Sequence, residues 1–184
     1  MDRLTSVAFT AGMAQDTRET TRPFAVELDL VKKVIGRRSF CLLSTVSAND
    51  RPHAAGLIYV PVGTTLYVNT FRSSRKARNI ATNPHVGVVV PVRRMPIGPP
   101  SAVQYQATAD ILDRDDPHIV ELLTAGTLKA ITSHGELDMP ESCFVRITPS
   151  GRIHTYGLGM PLLKLIRDPL NGAGVVASPL RNGR

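Results

Sequence analysis

Along residues 27–38 the apolar positions Leu28, Val31, Val34 and Ile35 fall at helical spacing, with Asp29, Lys32 and Lys33 between them. That spacing predicts a short amphipathic helix. Gly36 weakens its end, and Arg37 and Arg38 suit a helix C-terminus. The period then drops to two. Residues 40–47 and 53–61 read as strands joined by the turn Ala48-Asn49-Asp50-Arg51-Pro52, and Pro61-Val62-Gly63-Thr64 separates the second from a third strand at 65–70. Connections this short exclude parallel crossovers, so two consecutive hairpins are expected. Residues 74–83 hold few β-formers and stop at Pro84, which predicts a helix, and residues 86–92 are a nearly pure valine strand, too apolar to face water on either side.

Beyond it, residues 93–100 contain three prolines and a glycine and must form an irregular connection. Alternation resumes at 101–112, with Val103, Tyr105, Ala107 and Ala109 on one face. Asp115-Asp116-Pro117 opens a helix expected to run to about Ser133. Residues 142–148 and 153–156 read as closing strands. Five to seven antiparallel strands with few helices predict an α+β fold built on a small β-barrel. Residues 1–23 show no apolar period and read as a flexible arm. The barrel domain is placed at 24–150. Residues 151–184 form a basic extension, five basic residues against one acidic, with one short amphipathic helix around Leu162, Leu163, Leu165 and Ile166 that packs on the barrel or on a second subunit.

With 184 residues, 42% apolar and 20% charged, the chain has the size of one ordinary domain, and wholesale disorder is excluded. No apolar run reaches the ~18 residues of a membrane-spanning helix. The first 23 residues have no apolar core of a signal peptide. Cys41 and Cys143 lie within apolar stretches, so a reduced, cytoplasmic protein without a disulfide framework is expected. A net charge of +7 favours anionic partners. Nucleic acid is disfavoured among them, because aromatics are only 5% and Trp is absent, a poor stacking platform. A membrane surface is disfavoured because the apolar stretch of the extension is short.

The most informative feature is an absence. From Arg51 through Ala109, 59 residues contain no Asp or Glu but seven basic residues, four of them in Arg72-Ser73-Ser74-Arg75-Lys76-Ala77-Arg78. This run sits where a strand ends and a helix begins. A helix N-terminus offers unpaired N–H groups and the positive end of the dipole, and Ser73 or Ser74 can cap it. Guanidinium, ammonium, hydroxyl and backbone donors then converge on one anion, which makes a phosphate site. The five histidines are scattered and none forms a pair at metal-ligand spacing, so no metal is assigned. His53 is placed to touch a ligand at the barrel mouth. No Walker loop, nucleophile elbow or pair of carboxylates placed for acid–base work is evident, so any chemistry belongs to a cofactor.

The segment Ser74-Arg75-Lys76-Ala77-Arg78-Asn79-Ile80-Ala81-Thr82-Asn83-Pro84-His85-Val86 resembles the Ser-Arg-Lys…Asn-Pro-x-Val segment of the pyridoxamine 5′-phosphate oxidase-like family. The order of elements over residues 28–148 is similar as well. The resemblance implies a split β-barrel, usually a homodimer, with a flavin-type cofactor in a groove between subunits. It makes Arg75 and Lys76 the phosphate ligands, with Ser74, Arg78 and Asn79 beside them, and sets Asn69 and Thr70 against the ring or ribityl chain. Two departures stand out. Ala55 and Val60 replace the basic ligands that the FMN oxidases carry on the strand after the Arg-Pro turn, and Ala102 stands where the family has Gln. These argue against true pyridoxamine-phosphate oxidase activity.

Lys76-Ala77-Arg78-Asn79-Ile80…Asn83-Pro84 is also similar to the family's branch that uses the deazaflavin coenzyme F-420. The expectation is therefore an oxidoreductase that transfers hydride between bound FMN, or alternatively F-420, and a small organic substrate. Its rival is a non-catalytic binder of a flavin, a deazaflavin or a haem-like ligand.

Overall fold

The computed structural model describes residues 23–93 and 99–176. The expected arm at 1–22, the middle of the Pro-rich connection at 94–98 and the end of the basic extension from 177 onward lie outside the described residues.

The chain runs β1 (Phe24–Val26), α1 (Leu28–Gly36), β2 (Phe40–Val46), β3 (Pro52–Ile58), β4 (Val60–Val62), β5 (Thr65–Phe71), α2 (Arg75–Thr82), β6 (His85–Val92), β7 (Ser101–Leu112), α3 (Pro117–Thr124), β8 (Ser142–Tyr156), α4 (Leu162–Arg167) and β9 (Ala173–Val176). Short 3-10 turns fall at Lys129–Ile131, Glu136–Asp138 and Pro169–Gly172. This is a mixed α+β fold around a nine-stranded sheet in the order β1-β9-β8-β7-β6-β2-β3, with β5 pairing on β8 and β4 on β5.

Period-two alternation decides which side chains enter the core. Cys41, Leu43 and Thr45 of β2 point inward with Val86, Val88 and Val90 of β6 and Val103, Tyr105 and Ala107 of β7. α1 seals this core with Val31 and Ile35, both fully buried. A second, smaller core forms where α3 and its following turn lay Ile119, Leu122, Leu128 and Ile131 over Val60, Tyr67 and Phe144.

The structure corrects several expectations. The valine strand is not covered on both sides: Gly87 and Val89 are half-buried and Pro91 is exposed. The helix expected to reach Ser133 ends at Thr124, because Ala125 closes on Glu121 and Gly126 turns to φ +70°. Its start is as read, with Pro117 in the first turn and Asp116 accepting from the N–H groups of His118 and Ile119. The two closing strands are one strand of 15 residues, bent where the β7–β8 register shifts between Tyr105 and Ala107 and where Gly151 takes φ +89°.

The second hairpin is also different. β3 ends at Ile58, one residue before the Tyr59 N–H makes a last bond to Ser39 O at 2.8 Å in the same register with β2; only Val60–Val62 pairs with β5, and the long partner of β5 is β8. Among the described residues nine strands replace five to seven, and the sheet is not purely antiparallel, because β1 and β9 pair in parallel. The extension from residue 151 joins this sheet through the end of β8 and through β9.

Candidate functional site

The strand-to-helix junction Phe71–Arg75 carries the basic run. Ser74 is the N-cap of α2: its backbone is extended, and its hydroxyl accepts from Ala77 N–H at 3.3 Å. Buried Thr70, at the end of β5, contacts that hydroxyl at 3.3 Å and fixes its rotamer. Among the described residues the backbone N–H groups of Arg75 and Lys76 have no partner, and neither side chain is in an ion pair. The result is a capped helix start with free N–H donors, an exposed guanidinium and a half-buried ammonium. Those groups suit a dianionic phosphate monoester. α2 carries no acid in its first turn to compete for them.

The other basic residues of the run are committed elsewhere. Arg72 forms an ion pair with Asp113, which raises its own pKa first through that hydrogen bond. Arg78 folds back to donate to Ser73 O at 2.7 Å. Burial pushes the Cys143 thiol up, with Arg72 and Lys76 among the cations that offset this, so the positive field reaches the start of β8.

Asn69 and Thr70, expected side by side at a cofactor, point to opposite faces of β5. Thr70 is on the core side with Leu66 and Val68, whereas Asn69 shares the other face with Tyr67 and exchanges hydrogen bonds with Ser142 at 3.0 and 3.4 Å. Asn79 is buried and donates to Thr45 Oγ1 at 2.9 Å. His53 sits opposite Thr45 on β3, with its ring half-buried and Nδ1 buried without a partner. The structure thus gathers Thr70, Ser74, Arg75 and Lys76 at one place and Asn79 and His53 behind it, linked through Thr45.

Two features escaped the sequence reading. Tyr67 and His118 meet at 2.6 Å between Oη and Nε2, beneath the start of α3. Burial raises the Tyr67 pKa, so the phenol keeps its proton in this contact. The second is a cleft of about 460 Å³ on the outer sheet face, where Arg152 and His154 stand over Gln104, Gln106 and Ser44. Their spacing of two on a strand was the available signal, since it puts both on one face.

The family model for pyridoxamine 5′-phosphate oxidase matches residues 28–154. No curated protein matches the chain. Among solved structures, the heme storage protein HutZ of Vibrio cholerae is similar at 19% identity and a TM-score of 0.63, over 73% of this chain and 99% of its own. An FAD-binding protein of Mesorhizobium loti is similar at 18% identity and a TM-score of 0.56, over 67% of this chain and 88% of its own. A pyridoxamine 5′-phosphate oxidase-related, FMN-binding protein of Nostoc punctiforme is similar at 16% identity and a TM-score of 0.51, over 64% of this chain and 73% of its own. At these identities the likeness is one of fold.

Proposed function

The chain belongs to the pyridoxamine 5′-phosphate oxidase family, and on that premise we propose that it binds FMN and acts as a flavin-type oxidoreductase on a small organic substrate, with coenzyme F-420 as the alternative cofactor. The observation that carries this reading is the α2 start: Ser74 capping, Arg75 and Lys76 without anionic partners, and their two backbone N–H groups free among the described residues. Those donors fit the phosphate end of FMN. Arg75 and Lys76 would hold the phosphate, Thr70 would hold the Ser74 rotamer, and Asn79 would fix the helix to the sheet. Bound FMN supplies hydride chemistry, and the surrounding cations stabilise negative charge next to it. Ala55 and Val60 leave β3 and β4 without the extra basic ligands of the pyridoxamine-phosphate oxidases, which supports a different substrate.

The reading includes a homodimer with the cofactor between subunits. Phe40, Leu42 and Ile58 are 46%, 42% and 60% exposed in the single chain. Phe40 lies opposite Ile58, and Leu42 opposite Val89, so these residues form one apolar patch across β3, β2 and β6. A second copy of the chain is the proposed cover.

Titration of purified protein with FMN, F-420 and haem tests the reading. Saturable flavin binding that is at least about tenfold weaker in Lys76→Ala is expected. The likeness of the fold to a heme storage protein favours one second reading, a non-catalytic haem binder. Haem binding with no flavin binding would replace the first reading with it.

A further inference from the structure

Among the described residues, the two large apolar side chains most open to solvent belong to α4 and the turn after it. Leu163 is 69% exposed and Leu170 is 85% exposed, and Ile166 of α4 adds a third at 54%. Leu163 and Ile166 are three positions apart and so share one side of the helix. Single apolar residues scattered over a surface are normal, but a group of them marks an interaction site.

This side is not a frayed end. Leu165, on the opposite side of α4, is fully buried. It fits where Gly157 and Gly172 carry no side chain: a Cβ on the first would lie 2.6 Å, and on the second 2.8 Å, from its methyl groups. The Gly157 N–H donates to Gly172 O at 2.7 Å, and the Tyr156 hydroxyl donates to Pro169 O at 3.1 Å. The turn after α4 is thereby tied to the end of β8. Anchored by one side, α4 holds the other out to solvent.

The charges beside the apolar side select its partner. Lys164 and Arg167, again three positions apart, flank it; both are exposed, and among the described residues neither is in an ion pair. The acid that follows, Asp168, is taken up by the Asn171 amide at 2.6 Å. Aliphatic side chains with cations alongside match the boundary of an anionic bilayer, where the first enter between head groups and the second reach the phosphates. A protein partner fits less well. A stable protein interface takes about 800 Å² from each side, whereas a helix of six residues is roughly 9 Å long. The shortness of the apolar stretch, which disfavours a membrane from sequence alone, limits the depth of such a contact; it does not cover the side chains that the fold leaves in water.

We propose that α4 and the turn after it form a reversible docking site for an anionic lipid surface, with Leu163, Ile166 and Leu170 entering it and Lys164 and Arg167 on the head-group phosphates.

Co-sedimentation of the full chain with vesicles of phosphatidylcholine, alone or mixed with phosphatidylglycerol, tests the proposal. Binding to the mixed vesicles is expected, at least about tenfold tighter than to phosphatidylcholine and weakened by salt. Leu163→Ser and Leu170→Ser should each lower it about tenfold, the effect of withdrawing one aliphatic side chain from the lipid. Lys164→Gln and Arg167→Gln should each lower it about fivefold. All four side chains are exposed, so the circular-dichroism spectra of these variants should match the parent. Lys33→Gln, which removes an exposed cation of α1, should change nothing. Absence of binding to the mixed vesicles would overturn the proposal. Full binding by the two leucine variants, or a loss in Lys33→Gln equal to that in Lys164→Gln, would overturn it by reducing the effect to general attraction of charge. So would a parent oligomer, seen by sedimentation, that Leu163→Ser and Leu170→Ser dissociate, because that result gives this side of α4 to a protein partner.

Discussion

Asn79 on α2 donates its side-chain amide to the Thr45 hydroxyl on β2 at 2.9 Å, and both residues are buried. The Thr45 hydroxyl in turn donates to His53 O on β3 at 3.4 Å. One hydroxyl therefore joins a helix and two strands. α2 is only eight residues long, too short to be stable alone in water, so its orientation depends on contacts of this kind. Asn79→Ala is expected to lower stability by about 1–3 kcal/mol, because Thr45 loses its donor in a buried setting. It should also weaken FMN binding without touching the phosphate donors. Urea denaturation and FMN titration of the same variant check both. A stable variant with intact stability would show that the apolar side of α2 holds the helix by itself.

Two cations of the basic run are expected to behave differently. Lys76 is half-buried and outside any ion pair, whereas Arg78 is exposed and already bonded to Ser73 O. Lys76→Ala should weaken FMN binding at least about tenfold, the effect of losing one charge-assisted contact. Arg78→Ala should change it by a smaller factor. The ratio of the two dissociation constants is the measurement, and equal losses would argue that long-range charge, not contact, holds the anion.

Much of the frame was legible because long elements announce their period. β2, β5, β6 and β7 and the helices α1 and α2 lie within a few residues of where alternation and 3.6-spacing put them. The elements that were missed are those that period cannot report. β1 and β9 have three and four residues, and what makes them strands is a pairing between positions about 150 apart in sequence. The shortened α3 turned on Gly126 at positive φ, a backbone state that apolar spacing does not encode. At the candidate site the cations and the cap were readable as a motif. The divergence of Asn69 and Thr70 follows from strand geometry alone. The burial of Asn79 against Thr45 does not, because it depends on how α2 lies across β2.

Alkaline pH should destabilise the fold in a defined window. Burial pushes the Cys41 thiol from its ordinary value of 9.0 up to about 12. Burial also raises Tyr59, Tyr67, Tyr105 and Cys143. A group whose folded pKa is raised stays protonated in the native state while the unfolded chain ionises. Its contribution is therefore whole below the unfolded pKa and is lost as pH rises toward the folded one. For Cys41 that loss runs from pH 9 to about 12, at up to about 1.4 kcal/mol per pH unit. Denaturation midpoints at pH 7, 9, 10 and 11 should decline more steeply in the parent chain than in Cys41→Ala. Parallel declines would mean that the buried tyrosines and Cys143 set the alkaline limit without Cys41.

Ile58 offers the sharpest test of the apolar patch. It is 60% exposed at the end of the edge strand β3, opposite Phe40, which is itself 46% exposed. Within one chain it contributes little to the core, so Ile58→Glu should leave the stability of the monomer within about 0.5 kcal/mol. In a dimer built on this face the same substitution puts a carboxylate between two apolar surfaces, where it has neither water nor a cation. Sedimentation of the parent chain is expected to show a dimer and that of Ile58→Glu a monomer with an unchanged circular-dichroism spectrum. FMN affinity should fall with the dimer if the cofactor lies between subunits. A variant that dissociates yet binds FMN as tightly as the parent would confine the site to one chain, and a monomeric parent would leave β3 to some other partner.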